Sequence, residues 1–457
     1  MSNENTSFNY KCQVKNMAEN PYILAAVICQ SHNQSNYILY ENGNKISIGI
    51  GIHAEISVTD EYVTLFSADG KKLYETGVLS DTLQNVCIYA GQDGWRFYGV
   101  CNFGLARHNY HVPLGNESKA LIRLFLPEIE YELNVDKLEI KTHSEEELLK
   151  EKETLAYIIK DYENLLINIK SSNVSLLDDN QLLDKNAEYY KNIVRECIKE
   201  IQNNKYQKAI MSRKISIDSR LNMPLSYVYG RIANNPERSY LISWDQMQVL
   251  GFSPETVVEV NSNSIVSTFP LAGTRALVKD DYEMNQKLER ELLCDPKEIA
   301  EHAISVKLAF EELNRVCIPG SVAVSKYMSV IKRGTVQHLG SRLVGHLKNG
   351  CNAWHALNML FPAVTASGIP KLEAIEAIGR LENDPRNLYS GCVLTYDITG
   401  TMDAALVLRT VFQTVDDTWL RAGAGIVEMS NPERELEETC EKLRSVTKWL
   451  VTDSGVI

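Results

Sequence analysis

The sequence has ten cysteines, spread from Cys12 to Cys440, and no C-x-x-C pair among them. That scatter excludes a zinc clip or a redox dithiol motif and reads as reduced thiols of a cytosolic protein. Long apolar runs are also missing. The longest, residues 22–29, falls well short of the roughly 18 residues that span a bilayer. The polar start (Ser2, Asn3, Glu4, Asn5, Thr6) has no basic segment leading into an apolar one, so no signal peptide is expected. Positive charge is scarce, with 47 Lys and Arg against 59 Asp and Glu for a net charge of −12. A general nucleic-acid binder would need a basic footprint, so no nucleic-acid partner and no membrane partner are expected. An anionic substrate would need positive charge concentrated locally, from a metal or from Arg and Lys. Neither a repeat nor a low-complexity tract is present. Gly49 and Gly51 have no third glycine at the dinucleotide-fingerprint spacing, so they read as strand glycines.

What the chain does have supports a large core: 44% of its 457 residues are apolar. Length alone would allow about two or three domains, or one large intertwined one. Residues 46–52 alternate Ile with small residues at period two, the mark of a strand with one packed face. Residues 96–100 and 120–126 read as further strands. From Ser144 to about residue 169 the character changes to a charged amphipathic helix, with Glu145, Glu146, Glu147 and Lys150 accompanying Leu148, Leu149 and Leu155. A break follows at residues 171–173, then helix over 184–203. After Tyr206 short strands alternate with helices. Strands first, then mixed elements, predict an α+β fold over a doubly wound parallel sheet.

Two acidic pairs share one spacing. Glu298 and Glu301 follow Pro296, and Glu435 and Glu438 follow Pro432, each as E-x-x-E. Proline suits the first helical position because its missing N–H would be unpaired there anyway. Each pair is therefore predicted in the first turns of a helix, where positions three apart share a face. Acidic helix starts are ordinary, since the helix dipole favours them. Four carboxylates on two such faces also suit Mg²⁺, which takes a few carboxylates, waters and an anionic substrate.

Other unusual segments crowd the C-terminal part. Lys208 begins an apolar strand, and Glu255 sits in a Gly/Pro turn after Gly251-Phe252-Ser253-Pro254. Residues 270–275 read as a tight turn, with Gly273 able to bring backbone close to a ligand. Residues 361–371 mix small residues with breakers. Residues 421–426 end a strand with Gly423 and Gly425, whose bare N–H groups can cradle a carboxylate. Each alone has an ordinary structural explanation. Together, in this order, they resemble the chorismate-utilising enzymes: anthranilate synthase large subunits, isochorismate synthases and salicylate synthases. The resemblance is strong over residues 190–450, and residues 1–180 resemble the variable N-terminal half. It implies one large α+β domain of two stacked β-sheets flanked by helices, with a catalytic region over residues 185–457.

The resemblance also bears on the nucleophile. Relatives that attach the substrate to a lysine carry it in a P-I-K-G-T turn, where this chain has Ala272. Ammonia users typically have glutamine at Lys208, whereas water users have lysine. The L-L-E-S segment of many anthranilate synthases is not seen. Isochorismate synthases usually show H-P-T-P-A where residues 360–364 read L-F-P-A-V. Residues 364–371 read V-T-A-S-G-I-P-K, unchanged from the salicylate synthases, and residues 419–442 also match that branch. Phe269 departs from it, since a polar residue is expected there. The resemblance thus implies a Mg²⁺-dependent conversion of chorismate through isochorismate to salicylate and pyruvate. An isochorismate synthase is the second reading and an anthranilate synthase component I the third.

By family position Lys208 would activate the water that attacks ring C2, and Glu255 would protonate the hydroxyl leaving C4. A buried amine that loses its proton readily suits the first role. Glu298, Glu301, Glu435 and Glu438 would hold Mg²⁺ at the ring carboxylate. Tyr389 and Arg409, with backbone from Gly423, would hold the enolpyruvyl carboxylate, while Gly273, Thr274, His338 and Lys442 line the cleft. Pyruvate loss would be a pericyclic hydrogen transfer that needs orientation more than acid–base groups. A cytoplasmic monomer without a glutamine amidotransferase subunit is expected, with siderophore assembly as the usual destination of such salicylate.

Overall fold

A computed structural model describes residues 10–15, 20–171, 184–278 and 281–453. Its frame is two antiparallel sheets, one of eleven strands and one of twelve. Alternation builds them. In the strand Tyr37–Asn42 and its neighbours Lys45–Ile50 and Arg238–Trp244, successive side chains point to opposite faces. Ile38, Tyr40, Tyr240 and Ile242 of this sheet meet Tyr98, Val100, Phe125 and Val393 of the other in a buried layer between the two. Leu39, Ile46, Ile48 and Leu241 face the opposite way, onto the helix Pro21–Ser31. The outer face of the second sheet is covered by helices that include Leu79–Ala90, Pro296–Val316 and Ala353–Leu360. The architecture is a single α+β unit of two stacked sheets with helices outside, as the motifs implied.

In each sheet the strands from the first 142 residues form one contiguous block and the later strands another, and the two blocks meet at a single pair. Tyr37–Asn42 pairs with Arg238–Trp244, and Arg96–Cys101 pairs with Cys392–Asp397. Gly49 lies inside a strand, and a Cβ there would come within 2.6 Å of the Tyr98 ring across the sandwich. Close sheet approach is the reason for that glycine, not phosphate binding. The charged helix runs Glu145–Ser171 and the next Ala187–Gln202; of the expected break only Ser171 is among the described residues. One expectation needs correcting. Residues 270–275 are not a tight turn but most of the strand Leu271–Ala276, with a register shift between Ala272 and Thr274. Gly273 sits at that irregularity with φ +81, a left-handed conformation a side chain would resist. All ten cysteines are free thiols. Among the described residues no helix is long and apolar enough to cross a membrane.

Charged groups also tie the two sheets. Glu130 of one sheet accepts hydrogen bonds from Arg96 Nε and Tyr98 Oη of the other, each at 2.7 Å, and pairs with Lys141 beside it. Burial alone would push this carboxyl up, but Arg96 and Lys141 hold it below its ordinary value. Glu130→Ala strands Lys141 without a counter-charge and leaves Arg96 with Glu132 alone, and breaking such a buried pair costs about 3–5 kcal/mol. Urea denaturation of the variant should show that loss. A folded pKa held low means the wild-type contribution is present above the ordinary carboxylate range and is lost as pH falls through it.

Candidate active site

The predicted residues converge on one cavity. Lys208 is the first residue of the strand Lys208–Ile217, which pairs along its length with Thr418–Ile426. That pairing sets Lys208 near Gly425, where a Cβ would lie 2.9 Å from both Lys208 Cε and Glu301 Oε1. Lys208 is buried, and its Nζ stands 2.7 Å from Glu301 Oε1. Glu255 lies in the link between the strands Met247–Ser253 and Thr256–Val260. It is 3% exposed. Its carboxylate oxygens accept from the Leu271 amide and the Thr365 hydroxyl, each at 2.8 Å. Burial pushes its carboxyl up to about 7 against the opposing effect of those two hydrogen bonds and of Arg409 and Lys208. Lys208 and Glu255 line the same cavity.

Opposite them stand the anion-binding candidates. Arg409 is buried in the left-handed region at φ +52, a strain characteristic of functional positions. Burial and then Arg333 lower its guanidinium to about 10, so it remains charged at neutral pH. Its Nη2 lies 2.5 Å from His338 Nε2. Nδ1 of His338 faces Thr274 Oγ1 at 3.1 Å and the Gly273 carbonyl at 3.3 Å. Burial, then Arg409 and Lys442, push this imidazole well below its ordinary range. A neutral ring that accepts from Arg409 and donates from Nδ1 satisfies every contact, so His338 orients Arg409 here. Tyr389 is buried at the cavity wall, and Lys442 Nζ donates to the Gly423 carbonyl at 2.8 Å.

Both acidic pairs sit in first helical turns. Asp295 caps Pro296–Val316 by accepting from the Lys297 and Glu298 amides, and Asn431 caps Pro432–Thr447 in the same way. Glu298, Glu301 and Glu438 line the cavity with the catalytic candidates. Glu435 is buried but does not line it, and neither of its carboxylate oxygens has a hydrogen-bond partner. Lys297 Nζ lies 3.6 Å from Glu435 Oε1. Burial and the Glu438 charge push Glu435 up to about 7. Among the described residues no three His, Cys, Asp or Glu already stand as a ligand set. Instead Glu301 pairs with Lys208, Glu438 with Lys442 at 2.9 Å, and Glu298 with Arg275 at 3.0 Å. The all-oxygen donors and the unbonded Glu435 oxygens nonetheless fit a hard divalent cation.

Two residues not singled out from the sequence belong to this site. Arg421 lines the cavity and bonds Ser212 Oγ at 2.8 Å and Glu382 Oε2 at 2.6 Å. Thr365, inside the V-T-A-S-G-I-P-K segment, holds Glu255. Neither has a spacing signal, because each reaches its partner through a long-range contact. Arg421 adds to Lys208, Arg409 and Lys442 a fourth cation on the cavity, which suits a small anion bearing more than one carboxylate.

Comparison with known proteins agrees with this fold. Residues 34–448 match the model of the chorismate binding enzymes. The chain belongs to that family and is an enzyme that acts on chorismate. It is 34% identical over 437 residues to a salicylate synthase from Mycolicibacterium paratuberculosis, covering 93% of this chain and 92% of that protein. An anthranilate synthase component 1 from Saccharolobus solfataricus is 39% identical over 274 residues, covering 60% of this chain and 63% of its own length. Among solved structures, anthranilate synthase component I from Streptococcus pneumoniae TIGR4 superposes with a TM-score of 0.70 at 25% identity, covering 90% of this chain and 92% of that one. The menaquinone-specific isochorismate synthase of Escherichia coli gives 0.68 at 18% identity, covering 96% and 94%, a likeness of fold alone.

The Glu255 environment makes a direct prediction. Thr365→Val removes a hydrogen bond made to the ionised carboxylate, so the Glu255 pKa should rise further above about 7. Infrared difference titration of the carboxyl band, with Glu255→Gln as the blank, measures it. An unchanged midpoint would mean that Thr365 contributes nothing to the carboxylate.

Proposed function

We propose that this chain is a Mg²⁺-dependent salicylate synthase, converting chorismate through isochorismate to salicylate and pyruvate. The observation that carries the reading is the near end-to-end match to a salicylate synthase, with Lys208 and Glu255 facing one cavity. In sequence, the anthranilate synthase component 1 relatives match only about three fifths of the chain.

In the first half-reaction Lys208 takes a proton from the water that attacks ring C2. Glu255 gives its proton to the C4 hydroxyl, which leaves as water while the ring double bond shifts. A carboxyl poised near 7 holds the proton that this step consumes. Arg409, oriented by His338, and Tyr389 bind the enolpyruvyl carboxylate, with Gly423 backbone beside them. Gly273, Thr274 and Lys442 complete the walls. Glu298, Glu301, Glu435 and Glu438 would hold Mg²⁺, which would supply positive charge for the ring carboxylate. In the second half-reaction the C2 hydrogen passes to the enolpyruvyl methylene as the C–O bond breaks. Pyruvate leaves and the ring becomes aromatic. Orientation within the cavity supplies that step. The enzyme works in the cytoplasm as a monomer, without an amidotransferase subunit, and supplies a siderophore precursor. An isochorismate synthase is the second reading, since the two activities share the first half-reaction.

Chorismate with Mg²⁺ should yield fluorescent salicylate; isochorismate as the sole product would favour the second reading. EDTA should abolish turnover and added Mg²⁺ restore it, while full activity in chelator would remove the metal from the scheme. Lys208→Ala should lose chorismate turnover by about 10²–10⁴-fold yet retain salicylate formation from isochorismate, because only the first half needs the base. Normal chorismate turnover in that variant would make the lysine structural. The chorismate step should also decline as pH rises through about 7, where Glu255 gives up its proton. In Glu255→Gln that limb should vanish along with most of the rate.

A further inference from the structure

Lys371 ends the segment V-T-A-S-G-I-P-K, yet the chemistry proposed above gives it no part. It does not line the active cavity; it is buried at the first residue of the helix Lys371–Leu381. Its ammonium stands 2.5 Å from Glu312 Oε1 and donates to the Leu360 carbonyl at 3.1 Å. Glu312 is also buried, near the end of the helix Pro296–Val316, whose first turns carry Glu298 and Glu301. Leu360 is the last residue of Ala353–Leu360. One ammonium therefore fastens three helices. A lysine is held out of water only against such a partner, because an uncompensated buried charge is strongly destabilising.

The points that this ammonium joins bracket one stretch of chain. Leu360 and Lys371 stand immediately before and after residues 361–370, so the hydrogen bond between them ties the exit of that segment to its entry. What lies between is committed to the active site. Thr365 Oγ1 donates to Glu255 Oε1 at 2.8 Å. The Ala366 carbonyl accepts from Arg386 Nη1 at 2.7 Å. The Ser367 and Ile369 carbonyls accept from the Ile210 and Gln207 amides, each at 2.8 Å. Gly368–Ile369 pairs with Lys208 and Ala209 as a short strand. The segment thus touches both the Glu255 carboxyl and the strand end that carries Lys208.

We infer that Lys371 is a positioning residue: by clamping segment 361–370 against the helix Pro296–Val316, it sets the acid Glu255 and the base Lys208 together. This rests on the roles proposed above for those two groups. A misplacement of about 1 Å can cost on the order of 10²-fold in rate. Its effect falls on the first half-reaction, which needs both groups. Pyruvate loss needs orientation by the anion-binding side chains and is spared.

Removing the lysine alone would strand Glu312, so the informative variant is Lys371→Met/Glu312→Leu. Apolar side chains of similar size often replace a buried ion pair without loss of stability, so the urea midpoint should stay near that of the wild type. The kcat for chorismate should fall by about 10²-fold, with KM little changed because Arg409, Arg421 and Lys442 are untouched. Salicylate formation from isochorismate should continue at nearly the wild-type rate. Infrared titration reads the clamp without substrate, against Glu255→Gln in the same background. Thr365→Val should shift the Glu255 midpoint in the otherwise wild-type chain but not in the clamp variant, where the hydroxyl no longer meets the carboxylate. If the first variant does not fold, Lys371→Gln/Glu312→Gln serves the same tests, since its amides cannot pair as ions and the one at 371 is shorter than lysine. Wild-type chorismate kcat in a folded variant would overturn the inference, as would an equal loss on both substrates. So would a Thr365→Val shift that is the same in both backgrounds or absent from both. Were the wild type to turn over neither substrate, the assigned chemistry would fall, and the infrared comparison would still decide the clamp.

Discussion

The antiparallel pairing of Lys208–Ile217 with Thr418–Ile426 is the contact on which the rest depends. It sets Ile210 opposite Gly425 and Ser212 opposite Gly423, and the missing side chain of Gly425 leaves room for Lys208 and Glu301 to meet. The same strand carries Arg421 into the network of Glu382 and Arg386. Both carboxylate oxygens of Glu382 are spent on buried guanidinium groups and on Ser212. Paired in this way, charges can be kept out of water at tolerable cost. A cavity needing four cations in a chain of net charge −12 is built from such local pairs, not from overall charge.

That pairing also explains the resting arrangement of the site. Three carboxylates that line the cavity each lie against a cation: Glu301 on Lys208, Glu438 on Lys442, Glu298 on Arg275. Glu435 alone has no hydrogen-bond partner for either oxygen and is pushed up by burial and by its neighbour Glu438. The acidic and basic halves of the site therefore balance each other. A doubly charged cation and a dianionic substrate entering together would divide the same charges differently, each half gaining an external partner.

Glu255 and Arg409 show how burial tunes groups of opposite charge within one cavity. Each is withdrawn from water, and each is moved toward neutrality: the carboxyl up to about 7, the guanidinium down to about 10. At neutral pH the first is poised for proton transfer and the second remains a cation. His338, forced neutral by burial beside Arg409 and Lys442, can accept from Arg409 only because it carries no charge there.

Much of this was legible from the chain. Period-two alternation marked the strand that includes Ile46, Ile48 and Ile50, and proline followed by E-x-x-E marked two helix starts with their acidic faces, because local backbone preference sets both. The motif order, through family resemblance, pointed to the stacked sheets and nominated the site residues. The strand Leu271–Ala276 was misread as a turn because Gly and Pro signal breaks locally, whereas pairing with Val336–His346 and a bulge at Gly273 extend it as strand. Arg421 and Thr365 were not picked out, since their partners Glu382 and Glu255 lie 39 and 110 residues away. Composition and spacing determined which groups this protein has for chemistry. The tertiary structure alone decided which of them share a cavity, because only long-range strand pairing and the burial it brings set their distances and their charges.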